Sequence, residues 1–294
     1  MTRFEAWKTA ARIHTLPAAL VPVLVGGGLA YGEGVYRPVA FVWALIGALA
    51  LQIAANFAND ASDAKRGADN EDRLGPPRMV ALGVITSTQM WTATWVAVGV
   101  AAVAGVALTF IAGPLILVIG VAAVVAMLGY VGGPFPYGYR GYGELSVFVF
   151  FGLVATVGSR YVHDMTAPLS AWALAIPVGM LVTAILVVNN FRDIETDSAA
   201  GKRTLAVILG RERTRTLFAV LVYGPYLLIV LFAVVDWTPQ ATMFAALLAP
   251  FSIGPVRIVY AKTGGLALIR ALKLTASLHL WTGVVLAAGA AIVL

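Results

Sequence analysis

The chain has 294 residues, of which 60% are hydrophobic and 12% are charged, whereas roughly 25% of the residues of a typical soluble domain are charged. Too little polar surface is available to cover a soluble protein of this size, so a membrane protein with many spans is predicted. The absence of cysteine excludes disulfides, thiol nucleophiles and cysteine-ligated metals. With a formal net charge of +6, such a protein is expected to contact membrane lipids, and no nucleic-acid partner is expected.

Nine apolar runs with few charges follow one another, each about as long as the ~20 residues that a bilayer core needs. The first contains 18 residues without a charge, from Thr15 to Gly32, which favours a retained helix over a signal peptide. The third and fourth runs are divided only by a Gly113-Pro114 turn. We therefore predict an all-α, polytopic membrane protein with a single domain over residues 1–294 and nine transmembrane helices. The runs cover residues 14–33, 38–59, 88–110, 113–131, 144–163, 169–190, 214–235, 240–260 and 271–294.

The charged residues are distributed unequally between the two sides of the predicted bundle. With nine spans, the N-terminal tail and every second loop share one side, and only Arg37 and Arg160 of the 20 basic residues lie on the other. The positive-inside rule makes the basic side cytoplasmic, which predicts a multi-pass protein of the cell membrane with a cytoplasmic N-terminus. Most acidic residues lie on this side too, and the rule does not explain them. Long, charged loops on one side of the bundle indicate a functional site there.

Two apolar runs end in clusters of carboxylate and carboxamide side chains. The second run ends in NFANDASDAKRGADNEDR and the sixth in NNFRDIETDSAAGKRT. The residues of each cluster are spaced by three or four positions, which places them on one face of a helix. The members are Asn56, Asn59, Asp60 and Asp63 in the first cluster, and Asn189, Asp193 and Asp197 in the second.

Stacked carboxylates repel each other, and the cost is larger near a membrane, so a divalent cation is the simplest group to offset it. Oxygen ligands suit Mg²⁺, which usually binds one or two carboxylates together with phosphate oxygens of a substrate. A Lys-Arg pair after each cluster completes a phosphate site. The alternative interpretation is that the clusters are ordinary interfacial charges at the ends of membrane helices. The predicted metal ligands and catalytic residues are Asp60, Asp63, Asp193 and Asp197, and the predicted phosphate contacts are Lys65, Arg66, Lys202 and Arg203.

A third polar segment, YGYRGYGE at residues 137–144, is the candidate site for an aromatic acceptor. Arg140 can pair with a carboxylate through two hydrogen bonds. Tyr137 or Tyr139 can donate a hydrogen bond to phosphate or to substrate. The alternative is a glycine-rich turn with interfacial tyrosines and a cytoplasmic arginine, in which Glu144 lies favourably at a helix N-terminus.

These segments resemble the UbiA-type intramembrane prenyltransferases along nearly the whole chain. The resemblance implies nine transmembrane helices around a central cavity, with a cytoplasmic cap formed by the two long loops. The family's NDxxDxxxD motif matches Asn59, Asp60 and Asp63, but Gly67 stands at its last position and Asp69 follows two residues later. The segments are RIHTLPAALVPVLVG (12–26), NDASDAKRGADNEDRLGPPR (59–78), YVGGPFPYGYRGYGELSVFVFFG (130–152), NNFRDIETDSAAGKRTLAVILG (189–210) and LTASLHLWTG (274–283).

Within the superfamily, the GGPxPYGYxGxGE and RLGPPR sequences are similar to the branch that prenylates 1,4-dihydroxy-2-naphthoate in menaquinone synthesis. The resemblance implies transfer of a polyprenyl group from polyprenyl diphosphate to the carboxyl-bearing ring carbon, with loss of CO₂ and diphosphate, giving demethylmenaquinol. Two Mg²⁺ ions are expected as cofactors.

Three alternatives remain from the sequence. The first is a related prenyltransferase with 4-hydroxybenzoate, homogentisate, haem or a chlorin as acceptor. The second is a phospholipid-forming phosphotransferase. Such enzymes have their Asp residues in one motif, so two clusters far apart in sequence argue against this alternative. The third is a secondary transporter, whose carboxylates would lie near the bilayer midplane rather than at helix ends.

Overall fold

The computed structural model describes residues 1–65, 77–262 and 265–292, and within these ranges the regular structure is entirely helical. The predicted all-α fold is therefore confirmed. The helices are α1 (Arg3–Ala11), α2 (Pro17–Gly32), α3 (Pro38–Lys65), α4 (Ser87–Ala112), α5 (Leu115–Val131), α6 (Gly143–Tyr161), α7 (Leu169–Arg192), α8 (Ile194–Ala199), α9 (Leu205–Val234), α10 (Gln240–Ala261) and α11 (Leu266–Ala291).

The described helices agree with the nine predicted runs in position, but not every run is a full-length span. Seven described helices are long and apolar enough to cross a membrane, and α1 and α2, bent by 48° at their junction, make an eighth if the pair is one span. Helix α5 has 17 residues, the lower limit of the ~17–25 residues seen in transmembrane helices. The multi-pass membrane architecture is confirmed, and a count of nine depends on α5 and on the bent pair.

Helix α7 is the centre of the bundle. It packs against α9, α11, α6 and α2, and most of its residues are buried. Glycines allow α2 to lie close to its neighbours, since a Cβ at Gly26 would be 2.7 Å from the carbonyl oxygen of Thr156 in α6. Small residues are the usual means of close helix packing in membranes. The buried position of α7 carries the second Asp cluster to the middle of the molecule.

Helix α6 contains a π-helical segment, Phe148–Val154. It begins where Phe148 and Gly152 pack against Gly179 of α7. Such segments are rare and occur frequently at functional sites. Phe150, Phe151 and Val154 from this segment line the cavity described below.

An ion-pair cluster around a buried arginine joins α2, α6 and the start of α7 at the end of the bundle opposite the Asp clusters. The Arg160 side chain is buried and donates from Nε to Glu33 Oε2 at 2.6 Å and from Nη1 to Asp164 Oδ1 at 2.7 Å. Ser170 donates to the second Glu33 oxygen at 3.0 Å. Burial of an arginine is tolerated here because both carboxylates accept its hydrogen bonds.

Candidate active site

The helices enclose a cavity of about 790 Å³, a volume within the ~300–1,000 Å³ of small-molecule pockets. One end is polar and receives side chains from both Asp clusters and from the YGYRGYGE segment. The remaining wall is made largely of small and apolar residues of α2 to α7. The predicted site residues that line the cavity are Asn56, Asn59, Asp63, Tyr137, Tyr139, Asn189, Asp193, Asp197 and Lys202.

Lys202 joins the two Asp clusters. Its Nζ lies 3.5 Å from Asp63 Oδ1 and 3.9 Å from Asp197 Oδ1. The lysine is placed by a tight turn after α8, in which its own N–H donates to the Asp197 carbonyl at 2.8 Å. Its ammonium also lies over the Tyr139 ring, 4.5 Å from the centroid. Two helix ends that are far apart in sequence therefore meet around one buried cation.

Asp63 is held by partners from two other segments. It accepts hydrogen bonds from Arg78 Nη2 and from the Tyr139 hydroxyl, and Asp63 and Arg78 are both buried. The backbone carbonyl of Tyr139 in turn accepts the Arg203 N–H at 2.9 Å. The third polar segment thus contacts the first cluster directly and the Lys-Arg pair that follows the second cluster.

Asp193 has a partner on its own helix. Arg192 donates from Nε and Nη2 to the two Asp193 oxygens at 2.7 and 2.6 Å, and from Nη2 to Asn189 Oδ1 at 3.0 Å. The sequence patterns did not indicate Arg192 and Arg78, because both were counted only as basic residues of the predicted cytoplasmic side. The sequence feature that could have indicated Arg192 is its position at the end of an apolar run, because a charge buried there needs a carboxylate partner.

Asp60 does not line the cavity. Its Oδ2 accepts the Met79 N–H at 3.0 Å and its Oδ1 accepts the Val80 N–H at 3.1 Å, and the residue is 1% exposed. Both oxygens therefore bind the backbone directly after Arg78. Of the four predicted metal ligands, the cavity brings together Asp63, Asp193 and Asp197, and Asp60 lies behind them.

Asn56 and Tyr137 line the cavity but are held by protein groups. The Asn56 amide donates to the Ala11 carbonyl and to Thr15 Oγ1, both at 2.9 Å, which ties α3 to the bend between α1 and α2. The Tyr137 hydroxyl donates to the Ala126 carbonyl at 2.6 Å. Burial raises the pKa of the Tyr137 phenol, so it keeps its proton and remains a donor at neutral pH.

Two predicted contacts lie away from the cavity. The exposed Arg140 guanidinium lies over the Phe135 ring, 3.9 Å from its centroid. The Arg203 side chain is exposed as well, and only its backbone contacts the site. Arg66, Gly67 and Asp69 lie outside the described residues, as does the side chain of Lys65.

The oxygen atoms around Lys202 can bind Mg²⁺ only if a phosphate group supplies further ligands. The carboxylates and carboxamides offer oxygen atoms, which Mg²⁺ prefers. In the described part of the chain, however, no three acidic or histidine side chains converge to hold a metal by themselves. Each Asp cluster offers the one or two carboxylates that Mg²⁺ takes when phosphate oxygens and water complete its coordination.

The sequence model of the UbiA prenyltransferase family matches residues 19–282. The chain belongs to this family. The 1,4-dihydroxy-2-naphthoate octaprenyltransferase of Mycobacterium tuberculosis is 40% identical to it over 278 residues, which cover 93% of this chain and 92% of that protein. The protein of the same name from Escherichia coli is 38% identical over 238 residues, covering 79% and 77%. The family expected from the sequence motifs is confirmed.

Solved structures of UbiA homologues share the fold of this chain. The apo structure of a homologue from Aeropyrum pernix superposes with a TM-score of 0.69 at 16% identity, covering 98% of both chains. A homologue from Archaeoglobus fulgidus, bound to GPP and Mg²⁺, superposes with a TM-score of 0.64 at 14% identity, covering 95% of this chain and 98% of that one. At these identities the likeness establishes the fold.

Proposed function

We propose that the protein transfers a polyprenyl group from polyprenyl diphosphate to 1,4-dihydroxy-2-naphthoate, releasing CO₂ and diphosphate and forming demethylmenaquinol. The observation that carries the proposal is the meeting of two Asp-rich helix ends at Lys202, in a cavity that continues into an apolar chamber. The choice of acceptor is supported by the names of relatives that are 40% and 38% identical to this chain.

In this proposal the diphosphate lies between Asp63 on one side and the Asp193–Asp197 pair on the other. The carboxylates, with Asn59 and Asn189 beside them, would hold two Mg²⁺ ions, which would neutralise charge on the diphosphate. The Archaeoglobus fulgidus homologue bound to GPP and Mg²⁺ supports a divalent cation as cofactor. Preorganised charge aimed at a leaving group is commonly the largest single contribution to catalysis.

The chain's own cations assist the departure of the leaving group. Lys202, Arg78 and Arg192 are buried at the polar end of the cavity, where they stabilise negative charge on the diphosphate as the allylic C–O bond breaks with its electron pair. The allylic carbon then bonds to the carboxyl-bearing ring carbon, and CO₂ leaves with the restoration of the aromatic ring. The apolar wall excludes the water that would otherwise capture the cation.

Asp60 acts through Arg78 in this scheme. Its two backbone hydrogen bonds fix the residues that follow Arg78, and Arg78 in turn holds Asp63. Asp60 is then a positioning residue for the diphosphate site, in place of the metal ligand expected from its sequence position.

The orientation in the membrane follows from the basic residues. We infer that the polar end of the cavity opens to the cytoplasm, because nearly all Lys and Arg residues lie in segments on that side of the bundle. Diphosphate and naphthoate, both charged, would enter from water at this end, and the prenyl chain would lie in the apolar part.

The test is an assay of the purified protein with radiolabelled prenyl diphosphate and a panel of acceptors. Labelled demethylmenaquinol is expected with 1,4-dihydroxy-2-naphthoate, and only when Mg²⁺ is present. Product from 4-hydroxybenzoate or homogentisate alone would assign a different branch of the family. Uptake of substrate into proteoliposomes without any product would contradict enzymatic function.

A pair of lysine variants controls for general effects of lost charge. Lys202→Met is expected to lower kcat/KM by about 100-fold, the loss typical for removal of one electrostatic contact to a developing anion. Lys262→Met removes an exposed lysine at the end of α10 and is expected to leave the rate unchanged. Equal losses in the two variants would exclude a specific role for Lys202.

A further inference from the structure

A buried carboxylate–carboxamide pair lies beside the diphosphate site. Asn190 of α7 donates from Nδ2 to Glu144 Oε1 of α6 at 2.9 Å, and the residues are 7% and 5% exposed. Glu144 Oε2 is also buried and has no hydrogen-bond partner among the residues that the structure describes. A buried carboxyl group with an unpaired oxygen is costly, which indicates a role beyond helix packing.

Glu144 fixes the orientation of the Asn190 amide. Because Glu144 takes the amide nitrogen, the Oδ1 atom of Asn190 points away from it. Asn190 lines the cavity, and within the described ranges no donor reaches its Oδ1. An amide oxygen has two lone pairs, so Asn190 offers the cavity a fixed hydrogen-bond acceptor.

Tyr130 lies in the same part of the cavity wall, and its position explains two glycines of the YGYRGYGE segment. A Cβ at Gly138 would be 2.9 Å from the Tyr130 ring, and one at Gly143 would be 3.0 Å from its hydroxyl. The close backbone holds Tyr130 in place. The Tyr137 hydroxyl donates to the Ala126 carbonyl and the Tyr139 hydroxyl donates to Asp63, so of the tyrosines that line the cavity Tyr130 is the one that can serve a ligand.

We propose that Asn190, oriented by Glu144, and Tyr130 form the subsite for a ring hydroxyl of the aromatic acceptor. The hydroxyl would donate to Asn190 Oδ1, while the ring lies against the apolar side chains of Val147 and Leu186, which also line the cavity. Asn190 precedes Asp193 by three positions, so both lie on one side of the end of α7. The ring would then be adjacent to the allylic carbon of a diphosphate bound at Asp193.

This subsite rests on the proposed function and replaces part of the sequence expectation. The YGYRGYGE segment was expected to bind the acceptor through Arg140, which lies away from the cavity. In the proposed subsite the segment contributes Glu144 as a positioning residue and the glycines that hold Tyr130.

The first test compares KM for each substrate in two adjacent asparagine variants. Asn190→Ala is expected to raise KM for 1,4-dihydroxy-2-naphthoate by about tenfold, the worth of one buried hydrogen bond, and to leave KM for prenyl diphosphate unchanged. Asn189→Ala is the matched control, because Asn189 contacts Arg192 at the diphosphate end, and it is expected to raise KM for prenyl diphosphate instead. The same pattern in both variants would overturn the assignment.

The second test asks whether Glu144 acts by orienting Asn190. Glu144→Gln keeps an oxygen that accepts the Asn190 N–H, so KM for the acceptor is expected to remain near the wild-type value. Glu144→Leu removes that oxygen and is expected to reproduce the KM increase of Asn190→Ala. A large change in Glu144→Gln, or none in Glu144→Leu with a normal thermal unfolding temperature, would overturn the positioning role.

These outcomes are separable from failure of the proposed function. If the wild-type protein prenylated another hydroxyarene, the naphthoate assignment would fail, and the same comparison with that acceptor would still decide the role of Asn190. If no hydroxyarene were prenylated, both proposals would be contradicted.

Discussion

The aspartates of the first cluster differ in what their oxygens contact. Asp60 and Asp63 are three positions apart on α3, a spacing that predicts a shared face. Asp63 faces Lys202 and the cavity, whereas Asp60 binds the backbone of Met79 and Val80. Sequence spacing could not separate them because the competing N–H groups come from beyond the loop that follows α3.

A pair of asparagine substitutions distinguishes the two roles. Asp63→Asn is expected to lower kcat by about 100-fold, and because it leaves the buried Arg78 facing a neutral partner, it is also expected to lower the unfolding temperature. Asp60→Asn leaves one buried backbone N–H without an acceptor, which costs about 1–3 kcal/mol, so the unfolding temperature should fall while kcat falls less than in Asp63→Asn. Thermal unfolding and turnover of both purified variants measure this, and equal losses of kcat would contradict it.

At the scale of helices, apolar runs located every long helix but misplaced several ends. Helix α3 continues to Lys65, through the polar cluster that ended the predicted run at residue 59. Helix α9 begins at Leu205, nine positions before its run, where Thr204 caps it by accepting the Val207 N–H at 3.4 Å. Gly210, with φ of 71°, breaks the helix, so the predicted run covers only the longer part that follows this kink. Hydropathy reports where lipid is contacted, and helices extend beyond that region. The hydropathy pattern does not indicate the π-helical segment of α6.

The Arg160 cluster makes the packing of α2, α6 and α7 sensitive to acid. Hydrogen bonds from Arg160 lower the pKa of Asp164 to about 2, below the ~3.9 of an unfolded aspartate. Asp164 therefore contributes stability above about pH 4 that is lost as the pH falls towards 2. The unfolding temperature of wild type should fall more steeply over this range than that of Asp164→Asn. Identical pH profiles would show that Asp164 contributes nothing to stability.

At the scale of the whole molecule, the cavity extends beyond the proposed diphosphate site to α4 and α5. Gly105 of α4 and Gly120 of α5 line it, and a Cβ at either position would meet no atom within 4 Å. Such positions leave room for a prenyl chain. Sequence patterns predicted the polar end of the cavity but not its depth, because depth depends on which small residues of separate helices face inward.

Bulky residues at these glycines are expected to shorten the preferred prenyl chain. Gly105→Leu and Gly120→Leu should lower kcat/KM for long prenyl diphosphates by about tenfold or more, because each leucine would occupy cavity space that a long chain needs, and size discrimination in an apolar pocket is worth about 1–3 kcal/mol. Short prenyl diphosphates should still be used. Gly99→Leu is the matched control, since Gly99 is exposed on α4, meets no atom within 4 Å and does not line the cavity. The readout is turnover across prenyl diphosphates of increasing length, and an unchanged length profile would exclude this path for the chain.

We propose that two helix ends, distant in sequence, form one diphosphate site. The most direct measurement is a titration of turnover with Mg²⁺ at fixed prenyl diphosphate in wild type, Asp63→Asn and Asp197→Asn. Both variants are expected to need about tenfold more Mg²⁺ for half-maximal turnover, since each removes a carboxylate from the same site. Both are also expected to have a lower kcat/KM for prenyl diphosphate. Wild-type Mg²⁺ dependence in either variant would contradict a shared site at Lys202.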